Sequence, residues 1–224
     1  MLSLILFDFD GTLVNTERTI LACVREVCRE FSLPDPPDHA VRELIGLPLE
    51  ATMQAIAEGH SQAPPMTALV SAYRRRYPGI ADALSGEYGG VTELLEELSE
   101  SSVRLGIATS KGSKAIQDAL CRFGWTDFFE HVETSQTVAR PKPDPAMLLN
   151  HLALAGVEAE DALMVGDALA DIEMAKRAAV PSCAVTWGMG SPAALAALAP
   201  SFIVTTVAEL RARLFGMLDA SACE

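Results

Sequence analysis

Leu2-Ser3-Leu4-Ile5-Leu6-Phe7-Asp8-Phe9-Asp10-Gly11-Thr12 is the stretch whose reading decides the fold. The apolar-leaning run from Leu2 to Phe7 predicts a buried strand, and it ends on two carboxylates two residues apart. Charge inside a protein is costly, so carboxylates at such a strand end need a metal, a partner or open solvent. In an open α/β sheet the carboxyl ends of the strands are where ligands bind. Gly11 allows a sharp turn after the strand, and Thr12 adds a hydroxyl and a backbone N–H. The unit has the makings of a nucleophile, a proton shuttle and a metal seat in one turn. A lone Asp-x-Asp would serve equally well as a strand-end turn, and the rest of the chain separates the two.

Outward from that strand the chain has two textures. From Thr16 to about Leu84 the pattern is helical, with Ile20, Leu21, Val24, Val27 and Phe31 forming one apolar stripe on a helix over Glu17–Phe31. Further helices are predicted over His39–Leu44, Glu50–Ala57 and Thr67–Tyr77. Pro34-Asp35-Pro36-Pro37, Gly46-Leu47-Pro48, Pro64-Pro65 and Pro78-Gly79 separate them. No strand is predicted in this span.

From Gly89 onward helices and strands alternate. Helices are predicted over Val91–Leu98, Lys114–Phe123, Pro145–Leu154, Asp171–Ala179 and Val207–Leu218. The strands between them are Val103–Thr109, His131–Thr134, Ala162–Val165, Ser182–Thr186 and Phe202–Val204. Such alternation indicates right-handed βαβ units and a mostly parallel sheet. The first strand must join that sheet, because an isolated strand is not stable. The fold class is therefore α/β, a Rossmann-like parallel sheet core over residues 1–14 and 86–224. An all-α helical cap over residues 15–85 is inserted after the first strand.

Composition narrows the class further. The chain's 224 residues, half of them hydrophobic and 21% charged, suit one large globular domain or two modest ones. A formal net charge of -13 argues against nucleic acid or an anionic membrane surface as a partner. A divalent cation would still let a phosphorylated substrate bind. No apolar run approaches the roughly 20 residues that span a bilayer. The N-terminal run lacks a preceding basic region and meets acids at once, so it reads as a strand and not as a signal peptide. Cys23, Cys28, Cys121, Cys183 and Cys223 form no pair at metal or redox spacing. They predict reduced thiols, most of them in the core, in a cytoplasmic protein.

Three more constellations fall at predicted strand ends. Thr109-Ser110-Lys111-Gly112 follows one strand and precedes a helix, where hydroxyls and free N–H groups form either an oxyanion site or an N-cap. Arg140-Pro141-Lys142-Pro143-Asp144-Pro145 places two cations between prolines, in a stiff loop that would either be solvated or aim a charge at a fixed anion. Strand Ala162–Val165 runs into Gly166-Asp167, with Asp171 four residues on. Asp171 at a helix start could serve the helix dipole alone.

Together these parts resemble the haloacid dehalogenase superfamily, and within it the phosphoglycolate-phosphatase-like members with a helical cap. DFDGTLV at Asp8–Val14 is similar to the first motif and Thr109 to the second. RPKPDP at Arg140–Pro145 is similar to the third, and GDALAD at Gly166–Asp171 to the fourth. The resemblance covers essentially the whole chain, in the right order. It implies a Mg²⁺-dependent phosphatase acting on a small phosphorylated metabolite. Asp8 would attack phosphorus and become an aspartyl phosphate. Asp10 would protonate the leaving oxygen and later take a proton from water. Asp8, the backbone carbonyl of Asp10, and Asp167 would bind Mg²⁺, with Asp171 acting through water or orienting a ligand. Thr109, the Ser110 amide and the third-motif cation would hold the phosphoryl oxygens.

That cation is read as Arg140, by position, with Lys142 as the alternative, because the family usually carries lysine where Arg140 stands. In the cap, Arg42-Glu43-Leu44-Ile45-Gly46-Leu47-Pro48 resembles the family's specificity loop. Arg42 and Gly46, with Thr12 and Ser110 in the core, are the candidate substrate-binding residues, although a surface salt bridge accounts for Arg42 more simply.

The rival readings are a sugar phosphomutase of the same family and a non-catalytic phosphate-binding protein. Mutase relatives carry basic residues after the loop glycine, whereas this chain has Leu47-Pro48-Leu49-Glu50. A phosphonate hydrolase would need a cap lysine, and no lysine precedes Lys111. Dehalogenases lack the second Asp. The resemblance leaves both a monomer and a homodimer open, and names no particular ester.

Overall fold

Leu4, Ile5, Leu6 and Phe7 are all buried, and they form strand β1 (Leu4–Phe7) at the centre of a six-stranded sheet. The structure is a computed structural model that describes residues 1–60 and 64–221, so Cys223 lies outside the described residues. After β1 come a short strand β2 (Val14–Asn15) and helices α1 (Glu17–Glu30), α2 (Asp38–Leu44), α3 (Leu49–Ala57) and α4 (Met66–Leu84). Strand β3 (Gly86–Glu87) and helix α5 (Val91–Ser99) follow. The alternating part comprises β4 (Arg104–Thr109), α6 (Ser113–Phe123), β5 (His131–Thr134), α7 (Ala146–Ala155), β6 (Ala162–Gly166) and α8 (Leu169–Arg177). Strand β7 (Ser182–Val185), helix α9 (Pro192–Ala197), β8 (Phe202–Val204) and α10 (Val207–Ser221) complete it.

The sheet order is β5-β4-β1-β6-β7-β8 and every neighbouring pair is parallel. This is a Rossmann-like α/β fold. Because side chains alternate along a strand, β1 supplies two cores at once. Ile5 and Phe7 join Leu94 and Leu98 of α5, Ile116 of α6 and Leu214 of α10 on one face. Leu4 and Leu6 join Met147 and Leu148 of α7 and Met174 of α8 on the other. Burial on both faces is why the strand reads as an unbroken apolar run. The chain steps from β1 out to β4 and β5, then returns to β6 on the other side of β1. That reversal is the switch point at which open sheets bind ligands. It gathers the carboxyl ends of β1, β4 and β6.

Helices α1 to α4 pack around their own cluster, which includes Leu21, Val24, Val27, Met53, Leu69 and Tyr73. Pro78-Gly79 does not end α4, which runs on to Leu84 with Pro78 inside it. Pro78 forfeits one backbone hydrogen bond, but Tyr77, Ile80 and Ala81 around it are packed into the fold. Tertiary burial outweighs the local break. Strands β2 and β3 pair antiparallel, Val14 with Glu87 and Asn15 with Gly86, where the chain enters and leaves the helical block. This ribbon is too short for a periodicity signal, as is α9. The fourth-motif helix begins at Leu169, two residues before the predicted start. No helix among the described residues is long and apolar enough to cross a membrane.

Candidate active site

The site is built from strand ends. Asp8 follows β1, and its backbone N–H donates to the Val165 carbonyl at 2.9 Å, which carries the sheet's hydrogen bonding one residue past the strand. Thr109 closes β4 and Asp167 follows Gly166, the last residue of β6. Asp8, Asp167 and Asp171 are all buried, and each has a carboxylate oxygen within 4.8 Å of the other two. Gly11 turns the chain with φ +88°, and a side chain there would overlap the Asp167 carboxylate. Gly166 is required for a different reason, because a Cβ on it would fall on the Asp171 carboxyl group.

Lys142 is the cation in this cluster. Its Nζ donates to Asp8 Oδ1 at 2.7 Å and to Asp171 Oδ1 at 2.6 Å, and its side chain is 1% exposed. Arg140 is not brought to the site. Its side chain is 80% exposed and pairs with Asp144 at 3.1 Å. The expectation that Arg140 fills the third-motif position is therefore corrected in favour of Lys142. A slender ammonium fits between two buried carboxylates, whereas a broad guanidinium is better satisfied in water and across the loop.

Asp171 caps its helix and also binds the cluster's cation. Its Oδ2 accepts from the Ala168 N–H at 2.9 Å, which caps α8, while Oδ1 holds Lys142. Thr12 is not on the wall of the cavity that Asp8 and Asp10 line. It is buried and donates from Oγ1 to Asp167 Oδ1 at 2.9 Å. Arg42 also stays outside, paired with Glu17 and, at 4.0 Å, with Asp38. Neither residue lines that cavity: Thr12 orients a carboxylate, and Arg42 forms the exposed ion pair that is the simpler reading of it.

Asp10 points away from the three-carboxylate cluster. Both of its oxygens accept from Lys111 Nζ at 2.8 Å, and the same ammonium donates to the Tyr77 hydroxyl at 2.8 Å. Tyr77 belongs to α4, so Lys111 bridges the helical block to Asp10. Ser110 makes a second bridge, donating from Oγ to the Gly46 carbonyl at 2.7 Å. A cavity of about 510 Å³ lies between the two parts, lined among others by Asp8, Asp10, Thr109, Ser110 and Gly46.

Three site residues were not identified from sequence. Met189 donates its backbone N–H to Asp167 Oδ2 at 2.8 Å, and Lys111 and Tyr77 hold Asp10. Met189 lies in Trp187-Gly188-Met189-Gly190 just past β7, so the strand-end rule that found Asp8 and Asp167 would have pointed to it. Lys111 stands directly after Thr109-Ser110. Tyr77 carries no local signal, since a tyrosine on an apolar helix stripe reads as core.

Two buried carboxylates are held above their ordinary range. Burial, reinforced by Asp171, pushes Asp167 up to about 7. Burial also raises Asp8 well above the usual carboxylate value, against the opposing pull of Lys142. Three hard oxygen donors with one ammonium among them fit a divalent cation such as Mg²⁺. The sign for stability follows from linkage. In the metal-free protein the folded state keeps protons that the unfolded chain gives up above about pH 4, so these groups destabilise it increasingly toward about pH 7. His151, which burial pulls down to about 4, works the other way below about pH 6.5. The gain in melting temperature on replacing EDTA with Mg²⁺ isolates the carboxylates. That gain is expected to be larger at about pH 7.5 than at about pH 5; an equal gain at both would mean the cluster does not hold the metal.

Comparison with known proteins gives one consistent result. The family described as "Haloacid dehalogenase-like hydrolase" matches residues 5–185. "Probable phosphatase IndB" of Dickeya dadantii is 34% identical over 224 residues, covering 99% of this chain and 97% of the relative. The pyrophosphatase PpaX of Listeria monocytogenes is 33% identical over 210 residues, 93% of this chain and 94% of its own. Among solved structures, a haloacid dehalogenase-like family hydrolase from Streptococcus pneumoniae superposes with a TM-score of 0.83 at 28% identity, covering 95% of this chain and 98% of that one. A predicted phosphoglycolate phosphatase from Haemophilus somnus gives a TM-score of 0.83 at 25% identity, with 93% and 96% covered.

Proposed function

The chain belongs to the haloacid dehalogenase-like hydrolase family, and from that premise we propose that it is a Mg²⁺-dependent phosphatase. It hydrolyses a small phosphate monoester through an aspartyl phosphate on Asp8. One observation carries this reading: Asp8 and Asp167 at strand ends and Asp171 in the first turn of α8 form one buried carboxylate cluster, Lys142 binds two of them, and Asp8 lines a cavity together with Asp10.

Asp8 is the nucleophile, because it is the carboxylate that both joins the cluster and lines the cavity. Lys142 orients its Oδ1 and offsets its charge, leaving the other oxygen for attack on phosphorus. Asp10 serves as the proton donor to the leaving oxygen and then as the base toward water. It suits that work because its carboxylate stands outside the cluster, on the cavity side. Asp8, Asp167 and the Asp10 backbone carbonyl would hold the metal, with Asp171 steadying Lys142. The ion would supply charge compensation for the phosphoryl oxygens. Thr109 and the Ser110 amide hold those oxygens from the β4 end. The helical block, residues 15–85, acts as a cap over the core of residues 1–14 and 86–224. The free cysteines Cys23, Cys28, Cys121 and Cys183 suit a reducing, cytoplasmic setting.

The test is phosphate release from a panel of small phosphate esters with Mg²⁺ and with EDTA. Acid-quenched samples should carry one phosphoryl group on the peptide that contains Asp8. Release that persists in EDTA, or label on another residue, would refute the mechanism.

A finer expectation concerns Lys111 as a positioning residue for Asp10. Lys111→Met should lower kcat/KM, which reads only the steps up to release of the alcohol, by about 10–100-fold on an alkyl phosphate, whose leaving oxygen needs a proton. p-Nitrophenyl phosphate leaves without one and should change by no more than about threefold. Equal losses on both would mean that Lys111 supports structure and does not position Asp10.

A further inference from the structure

The cavity over Asp8 and Asp10 is larger than a phosphoryl group needs, and much of its wall is carbon. At about 510 Å³ it falls in the range of pockets that enclose whole organic ligands, ~300–1,000 Å³. Ile20, Leu47, Tyr77 and Pro78 line it from the cap, and Ala119 and Phe123 line it from α6.

The cations on this wall are already engaged. Lys111 is shared between Asp10 and Tyr77. Arg122 donates to the carbonyls of Ala81 at 2.8 Å and Ser85 at 2.7 Å, fastening α6 to the end of the cap. Arg74 pairs with Glu50 and Lys114 with Asp118, both at the exposed rim. Among the described residues, no cation lining the cavity lacks a protein partner.

A leaving group with a second phosphate or a carboxylate would gain little here. To pair its charge in the interior it would have to take Lys111 from Asp10 or Arg122 from the cap. At the rim it would have to displace Glu50 from Arg74 or Asp118 from Lys114. In either case it would leave the apolar wall wet. An uncharged, carbon-rich alcohol covers that wall without breaking any of these contacts, and burying apolar area is favourable in proportion to the area removed from water. Depending on the phosphatase reading above, we propose that the substrate is the phosphate monoester of an uncharged, bulky, largely apolar alcohol. Pyrophosphate and phosphoglycolate are then disfavoured. The ester's P–O bond breaks as Asp8 bonds to phosphorus, the alcohol leaves with the proton from Asp10, and water then returns Asp8 and inorganic phosphate. This specificity would set the chain apart from its relatives named pyrophosphatase.

The experiment compares kcat/KM of the Mg²⁺ enzyme on 2-phenylethyl phosphate, phosphoglycolate and inorganic pyrophosphate. The first two release alcohols of similar acidity, so their ratio reads the pocket. The phenylethyl ester should be favoured over both others by about tenfold or more, mainly through KM. Leu47→Arg, which adds an unpaired cation to the wall, should shrink that ratio. A wild-type preference for phosphoglycolate or pyrophosphate overturns the proposal. Turnover of none of the three, or activity that survives in Asp8→Asn, overturns the phosphatase reading instead. The pocket is then judged by calorimetry on Asp8→Asn with 2-phenylethylphosphonate and phosphonoacetate. Tighter binding of the phenylethyl compound supports an apolar site, and tighter binding of phosphonoacetate refutes it.

Discussion

Asp8→Asn should lower phosphate release on the order of 10⁴-fold or more without weakening the fold. Asparagine keeps the shape of the side chain and can still accept from Lys142 through its carbonyl oxygen, but an amide does not attack phosphorus. The stability expectation is the more discriminating half. Asp8 is raised well above its ordinary range by burial, with Asp171 and Asp167 adding repulsion. Removing its charge relieves the burial cost and that repulsion, which together outweigh the pull of Lys142, so in EDTA the melting temperature of the variant should equal or exceed that of wild type. Phosphate assays and thermal denaturation check the two halves. Substantial residual activity would place the nucleophile elsewhere, and a large fall in melting temperature would show that Asp8 has a structural role that this geometry does not explain.

Lys142→Met should be the most damaging single change to stability in the site. The ammonium lies between Asp8 and Asp171, with a side chain 1% exposed. Removing one partner of a buried ion pair costs about 3–5 kcal/mol, because the remaining charges lose their compensation. Proton uptake by the orphaned carboxylates would soften that loss, and so would Mg²⁺, so the deficit should be larger in EDTA than in Mg²⁺. Turnover should fall with it, since Asp8 loses the group that orients it. Arg140→Met is the control. Its side chain is in solvent beside Asp144, so stability should move by no more than about 0.5 kcal/mol and activity should hold. The opposite ranking of the two variants would restore Arg140 to the role that its position in the sequence suggested.

Those two cations show where sequence reading stops. Arg140 and Lys142 are two residues apart in a proline-bounded loop, and in extended chain such residues share a face. Neither spacing nor residue type separates them. Only the course of the loop does, carrying Lys142 into contact with Asp8 and Asp171, positions 134 and 29 residues away in the chain. Thr12 was legible as important but not in its role, because a hydroxyl after Asp-x-Asp-Gly could face a substrate or a neighbouring carboxylate. The partner that decides this, Asp167, is 155 residues away.

The parallel sheet, the membership of β1 in it and the delivery of Asp8, Thr109 and Asp167 to strand ends follow from local pattern alone. A strand buried on both faces must be apolar throughout, and a carboxylate can stand only where that burial ends. Tertiary structure decided which cation enters the cluster, that Asp10 is tied through Lys111 to Tyr77 of the cap, and that α4 continues through Pro78. It also decided that the wall facing the leaving group is apolar. Each of these outcomes is a contact between residues distant in sequence, set by which groups can pack or pair once the chain has closed on itself, and local spacing carries no record of it.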